Sequence, residues 1–255
     1  MIRISRCAEP PGLSTVRDER LGVARAAVAM TTEIRFMEYD IVKPELAAMQ
    51  DNKCCYCEKR EEQAKYRDVE HYRPKSVYWW LAWTWENLLF SCVDCNREHK
   101  RDRFPLSSGD RALMAEQAPP GDERPMVLDP SDPRSDPTTH IEFRRERIQG
   151  RERWTPYGTT ARGWRTIEVC GLARPGLLTL YKAHVDELVR PRLERFEATL
   201  RQHEPQAVFG AWDSVRRGLL ARERPFRALS HDALDALVPA AVRDRYRLEL
   251  VRPGA

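Results

Sequence analysis

The chain has 255 residues, enough for one large domain or two small ones. Its 32% charged residues and strongly negative mean hydropathy exclude a mostly membrane-embedded protein. A formal net charge of +4 neither requires nor excludes a polyanionic partner, so any such argument must rest on local charge.

The N-terminal stretch MIRISRCAEPPGL lacks an apolar core and is not a signal peptide, so a cytoplasmic location is expected. Residues 2–4 (IRI) have the character of a short strand. Residues 16–50 are Ala-rich and helical in propensity, with Pro44 starting a short helix that ends near Gln50. A cysteine-rich segment follows, from 51 to about 105. It carries four of the seven tryptophans, within YWWLAWTWENLLF. From Pro105 to Pro137 there are seven prolines in 33 residues, which precludes long helices and central strands. HIEFRRERIQGRERW reads as a hairpin turning at Gln149-Gly150. From about 161 the pattern is helical. Val189, Leu193, Phe196 and Leu200 form one apolar stripe, and Pro191 kinks that helix or starts its second part. AVFGAWDSVRRGLL and SHDALDALVPAAVRDRY read as two further helices, the second N-capped by Ser230. The divisions expected are 1–50 (N-terminal helical), 51–105 (cysteine segment), 106–160 (Pro-rich loop and hairpin) and 161–255 (helical unit). No internal repeat is visible.

Five of the seven cysteines lie between 54 and 95. In a cytosolic chain such clustering points to metal ligation rather than to disulfides. Cys54-x-x-Cys57 and Cys92-x-x-Cys95 form two knuckles with 34 residues between them. Four thiolates suit tetrahedral Zn²⁺, and the gap exceeds that of a simple zinc ribbon. Pairing Cys54 with Cys57 matches the second knuckle, whereas pairing Cys55 with Cys57 leaves a single residue between them. Cys55 is therefore expected to be a packed bystander.

Between and just beyond the knuckles run DVEHYRPKS, WTWENLLFSC and CNREHK. In order they give Glu70-His71, Asn87 and Asn96. Over roughly 54–104 the chain resembles the HNH branch of the ββα-metal, or His-Me finger, nucleases. The chemistry asks for these residue types. Phosphodiester hydrolysis needs a base that takes a proton from water near neutral pH, and it needs a hard cation with oxygen ligands. The resemblance implies that His71 is the general base at the end of a first strand and that Asn87 ties the intervening loop. It implies that Glu70 and Asn96 hold a catalytic Mg²⁺ or Mn²⁺, with Asn96 at the start of the helix after a second strand. The zinc would then be structural. The family often has His where Asn96 stands and Asp where Glu70 stands. His99, three residues beyond Asn96, is an alternative ligand. Arg73, Lys75, Arg97, Lys100, Arg101 and Arg103 crowd the segment and are expected to grip a nucleic-acid backbone in part. Trp79, Trp80 and Trp83 are read as packing, with base stacking as the other reading. Asp129, Asp132, Asp136 and His140 are read as a rigid turn series, against a loop that reaches back to the site.

A narrower resemblance covers KCCYCEKR, VEHYRPKS, YWWLAWTWENLLFSCVDCN, HKRDRFPL, AEPPGL, VLDPSDPRSDPTTHIEF and TIEVCGLAR. These stretches are similar to HNH proteins of bacterial anti-phage defence, namely the nuclease subunit of Septu systems and retron-associated HNH effectors. The resemblance implies a partner ATPase of the ABC/SMC-like type, sometimes with a reverse transcriptase and its non-coding RNA, docking on the C-terminal helices. The expectation is an α+β chain, mostly helical, with a zinc-stabilised ββα-metal unit that hydrolyses DNA to 3′-hydroxyl and 5′-phosphate ends. Two alternatives stay open: an RNA (tRNA) nuclease using the same site, and a non-cutting zinc-dependent module that binds nucleic acid or a partner.

Overall fold

The computed structural model of the chain describes residues 1–202 and 204–254. It is a mixed fold of helices and two small antiparallel sheets, divided into two compact units. One unit comprises 4–131 together with Val169–Gly171. The other comprises Met1–Arg3, 132–168 and 172–255. Contacts thus separate along different lines from those drawn on composition. Among the described residues, no helix is long and apolar enough to cross a membrane.

In the first unit, α1 (Leu13–Ala29) and α2 (Lys43–Met49) flank a 3₁₀ turn at Tyr39–Val42. Pro44 sits in the first turn of α2, where its missing N–H costs nothing. Strands β1 (Arg67–His71) and β2 (Leu88–Cys92) pair antiparallel from Arg67 opposite Cys92 to His71 opposite Leu88. A π-wound helix, Asp94–Lys100, follows directly. Every residue of β2 is buried. Leu13, Ala24, Val42 and Leu46 share one core with Val69, Trp83, Trp85, Leu88 and Phe90. This shared burial is why the N-terminal helices do not form a separate segment. The IRI stretch forms no strand, and the Ile4 N–H bonds the Pro130 carbonyl instead.

The second unit is built on the hairpin of β3 (Ile141–Ile148) and β4 (Arg151–Gly158), with Ile148 opposite Arg151. Gln149 and Gly150 turn it with φ of 50° and 77°, the left-handed pair that a two-residue hairpin loop requires. Helices α3 (Ala161–Val169), α4 (Pro175–His184), α5 (Arg190–Leu200), α6 (Pro205–Leu220), α7 (Arg227–Leu237) and α8 (Ala240–Tyr246) follow. Pro191 lies in the first turn of α5, after a π-wound stretch at Val185–Val189. The helix expected from Ser230 onward is in fact two. Its Pro239 separates α7 from α8, because proline cannot continue a helix. Ser230 is no cap: it is buried inside α7, 2.8 Å from Nε2 of His184.

Candidate active site and metal centre

Four buried sulfurs, from Cys54, Cys57, Cys92 and Cys95, lie within 4.8 Å of one another. The second pair comes from the end of β2 and the helix that follows. The first knuckle touches β2 through the residue after Cys54: the Cys55 N–H donates to the Phe90 carbonyl, while the Cys54 N–H donates to the Lys59 carbonyl within the knuckle. Glu58, with φ of 61°, makes the left-handed step that closes this knuckle. Burial alone would push the Cys54 thiol up. Hydrogen bonds from Cys55, Cys57, Cys92 and Cys95 outweigh it and hold this thiol well below the ordinary range. A soft, four-sulfur donor set of this spacing fits Zn²⁺, which takes such ligands tetrahedrally. Cys55 is buried too but stands outside the cluster.

Glu70 and His71 close β1, and Asn87 immediately precedes β2. Asn87 binds the intervening loop at both ends. Its Oδ1 accepts from the Arg73 N–H (2.8 Å), and its Nδ2 donates to the carbonyls of Arg73 (3.0 Å) and Leu81 (3.1 Å). The loop it secures brings the Ala82 carbonyl to 2.9 Å from His71 Nε2. That contact assigns the ring proton to Nε2 and leaves the lone pair on Nδ1. The Tyr39 ring meets the imidazole edge-on at a centroid distance of 4.7 Å. Burial, then the charge of Lys75, pushes His71 down to about 3, so its imidazole is neutral at pH 7.

His71 lines a cleft of about 510 Å³ together with Glu70, Asn96, Asp68, Tyr39 and Lys75. Glu70 is buried, and its Oε1 takes both Lys100 Nζ (2.6 Å) and the Tyr56 hydroxyl (3.0 Å). Burial raises its carboxyl while Lys100 and Tyr56 oppose the shift. Oε2 takes neither bond and is the oxygen left for an ion. Asn96 uses Nδ2 toward Asp68 (3.4 Å) and the Val69 carbonyl (3.5 Å), which leaves its Oδ1 as an oxygen donor. Two protein oxygens with water completing the shell is a donor set that Mg²⁺ accepts.

The basic residues divide. Lys100 has a fully buried side chain and also donates to the His71 carbonyl (3.0 Å). Contrary to the sequence-based expectation, it is held away from any phosphate backbone. The Arg73 side chain is mostly buried against Glu123 (2.5 Å), an interior ion pair rather than a surface grip. Arg103 is exposed, with Nε on the His99 carbonyl (3.0 Å). Lys75 and Arg101 line the cleft. Lys75 donates to the Tyr39 hydroxyl (2.7 Å) with its ammonium 4.1 Å from that ring's centroid. Arg97 is clamped on Asp68 by two bonds, of 2.7 and 2.6 Å.

His99 does not line the cleft; a Cβ added to Gly171 would fall 2.3 Å from its Nδ1. The reason is the π winding, which spreads residues three apart around the axis instead of stacking them on one face. Trp80 and Trp83 are buried, with indole N–H groups on the carbonyls of Gln117 and Met37. They pack and do not stack bases. Trp79 leans edge-on against Trp80 and packs on the same core. The aspartates past the Pro-rich loop are turn-makers. Asp129, Asp132 and Asp136 each accept from the backbone N–H two residues on, and His140 sits between Ser135 and Thr160 hydroxyls.

Sequence reasoning missed three participants. Asp68 was legible, because residues i and i+2 of a strand share a face and Asp68 therefore accompanies Glu70. Tyr39 and Tyr56 carried no such signal, since each arrives from a distant element through tertiary packing.

No protein-family model matches the chain, and no solved structure matches it. Two curated proteins do. The chain is 33% identical over 165 residues to a Septu protein PtuB of Bacillus mycoides (strain KBAB4), covering 56% of this chain and 55% of that protein. It is 50% identical over 56 residues to a Septu protein PtuB of Bacillus thuringiensis, covering 22% of each. The chain thus matches about half the length of the first relative and less than a quarter of the second.

Proposed function

We propose that this chain is a metal-dependent HNH-type endonuclease, acting on DNA as the toxic effector of an anti-phage defence system. The observation that carries the reading is His71. It is a neutral imidazole with Nε2 committed to a carbonyl and, among the described residues, no hydrogen bond at Nδ1, on the wall of a polar cleft. That is the state a general base needs before water is deprotonated. The base is weak at rest. A bound phosphodiester brings negative charge beside it and so raises its affinity for the proton taken at Nδ1. Asn87 contributes by fixing the loop, so the Ala82 carbonyl can hold the ring and stabilise the imidazolium that forms. Lys75 and Arg101 present positive charge to the phosphate from the cleft wall.

A Mg²⁺-like ion on Glu70 Oε2 and Asn96 Oδ1 would supply positive charge to the scissile phosphate and the leaving oxygen. The four-cysteine site, filled with zinc, would clasp the two ends of this unit and stay clear of the substrate. Similarity to the Septu proteins supports the defence role and a partner subunit. The ATPase of ABC/SMC-like type is the partner we propose, with a reverse transcriptase and non-coding RNA in the retron-associated arrangement.

The test compares the purified chain with His71→Ala on supercoiled plasmid and on total RNA, with Mg²⁺ or Mn²⁺, with and without the ATPase. Metal-dependent nicking of plasmid that falls at least 100-fold in the variant is expected. Absence of metal-dependent cutting in every arm overturns the nuclease reading, and cutting of RNA alone overturns the substrate.

A further inference from the structure

The unit that holds the cleft has 19 Lys and Arg against 22 Asp and Glu. The hairpin-and-helix unit has 24 against 17, and 23 of those 24 are arginine. The charge that would attract a polyanion therefore lies outside the unit with the candidate chemistry. Within the basic unit it is unevenly used. Arg144 pairs with Glu142, Arg145 and Arg190 with Glu152, and Arg165 with Glu168. Arg147, Arg151 and Arg153, at the tip of the hairpin, are exposed and form no ion pair among the described residues; Glu146, opposite Arg153, takes the Thr155 hydroxyl and Glu152, opposite Arg147, is held by Arg145 and Arg190. Arg151 and Arg153 share one strand face with Thr155 and Tyr157, because alternate residues point the same way.

That face ends on a built aromatic step. The Arg144 guanidinium lies 3.1 Å from the centroid of the Tyr157 ring, and Trp164 of α3 meets Tyr157 edge-on at 4.6 Å. Trp164 is nevertheless 48% exposed. Gly158 makes the step possible: a Cβ there would fall 2.4 Å from the Trp164 backbone nitrogen, so only glycine lets α3 close onto the strand end. Most indoles in this chain are buried, and this one is held at the surface against Tyr157, on which Arg144 stacks. Tyr157 lies six positions beyond Arg151, a strip of about 20 Å along the strand.

We propose that this face of the hairpin is a single-stranded nucleic-acid site, with an unpaired base stacking on Trp164 and the backbone running toward Arg153 and Arg151. Exposed aromatics accept any base face and unpaired arginines grip phosphates, whereas a duplex hides its base faces. The proposal rests on the nuclease reading only in choosing nucleic acid over other polyanions.

The experiment measures fluorescence anisotropy of labelled single-stranded and duplex oligonucleotides of one sequence, using the full chain carrying His71→Ala. In this background cleavage and binding are scored separately, so failure of the nuclease reading leaves the binding result intact. Arg151→Glu with Arg153→Glu should weaken single-strand binding about tenfold or more and flatten its salt dependence by about 0.7 per lost phosphate contact. Trp164→Ala should cost about fivefold or more on the single strand and little on the duplex, with Trp164→Phe restoring most of it. Unchanged binding in the charge-reversed chain, with a native circular dichroism spectrum and melting curve, overturns the site. Equal losses on duplex and single strand in Trp164→Ala overturn the stacking assignment. Loss of binding to the partner ATPase in these variants, with nucleic-acid affinity unchanged, shows a protein-docking face instead.

Discussion

At the scale of single residues the site turns on two buried groups that control each other's surroundings. Glu70 is an almost fully buried carboxylate at the cleft wall, paired with Lys100, whose ammonium also reaches the His71 carbonyl. Removing one member of such a pair leaves an uncompensated charge, which costs about 3–5 kcal/mol. Lys100→Met should therefore destabilise the chain by about that amount in urea denaturation. The double change Lys100→Met with Glu70→Gln should recover much of the loss, and an unaltered midpoint in the single variant would contradict the pairing. His71 adds a pH dependence. Its folded pKa of about 3 lies below the ordinary 6.5, so on acidification the unfolded chain takes up the proton first. Stability from this group is complete above about pH 6.5 and is lost as pH falls toward 3. Its ¹⁵N resonances should report a neutral Nε2–H imidazole still at pH 5. A midpoint between 6 and 7 would show that the ring is not buried as described.

At the scale of elements, the ββα unit depends on clamps from outside its own motif. The Arg6 guanidinium donates to the carbonyls of Trp85 (2.8 Å), Glu86 (2.8 Å) and Leu88 (2.9 Å), fixing the turn that carries Asn87 into β2. Gln50 bonds the Phe90 N–H and carbonyl (2.8 Å each) and the Lys53 carbonyl (2.9 Å), tying the first knuckle to β2. Gln50→Ala strands buried backbone groups and should cost about 1–3 kcal/mol each, read as a lower melting temperature. The four-sulfur cluster predicts one zinc per chain by elemental analysis. Cys92→Ser should lose the metal and Cys55→Ala should keep it; the reverse would exchange the roles of ligand and bystander. Chelation leaves four thiols without the ion that organises them and should lower the melting temperature of the first unit.

At the scale of the whole molecule, the candidate cleft and the excess of basic charge belong to different units. The cleft unit has more acids than bases and the second unit is arginine-rich. If binding and cleavage are divided in the same way, Arg101→Glu at the cleft should lower kcat with little effect on oligonucleotide affinity. Arg151→Glu should raise KM and leave kcat at saturating substrate near its starting value. Equal effects on both parameters from both variants would argue against that division.

Much of the site was written in the sequence because its signals are local. Knuckle spacing, the Glu-His pair at a strand end, an Asn before an apolar strand and a Gln-Gly turn each depend on neighbours a few residues away. The sequence alone therefore determined which four cysteines cluster, the hairpin and the order of the cleft residues. Burial is set by elements far apart in the chain and was not legible there. Tertiary packing turned Lys100 and Arg73 inward to meet Glu70 and Glu123. It brought Tyr39 and Tyr56 into the site and wound the helix after β2 so that His99 left the face of Asn96. It also left the Trp164 indole exposed on the second unit and buried Trp80 and Trp83 of the segment between the knuckles. A side chain's charge and shape belong to the sequence. Whether it meets water, an ion or a buried partner is decided by which distant surfaces close over it.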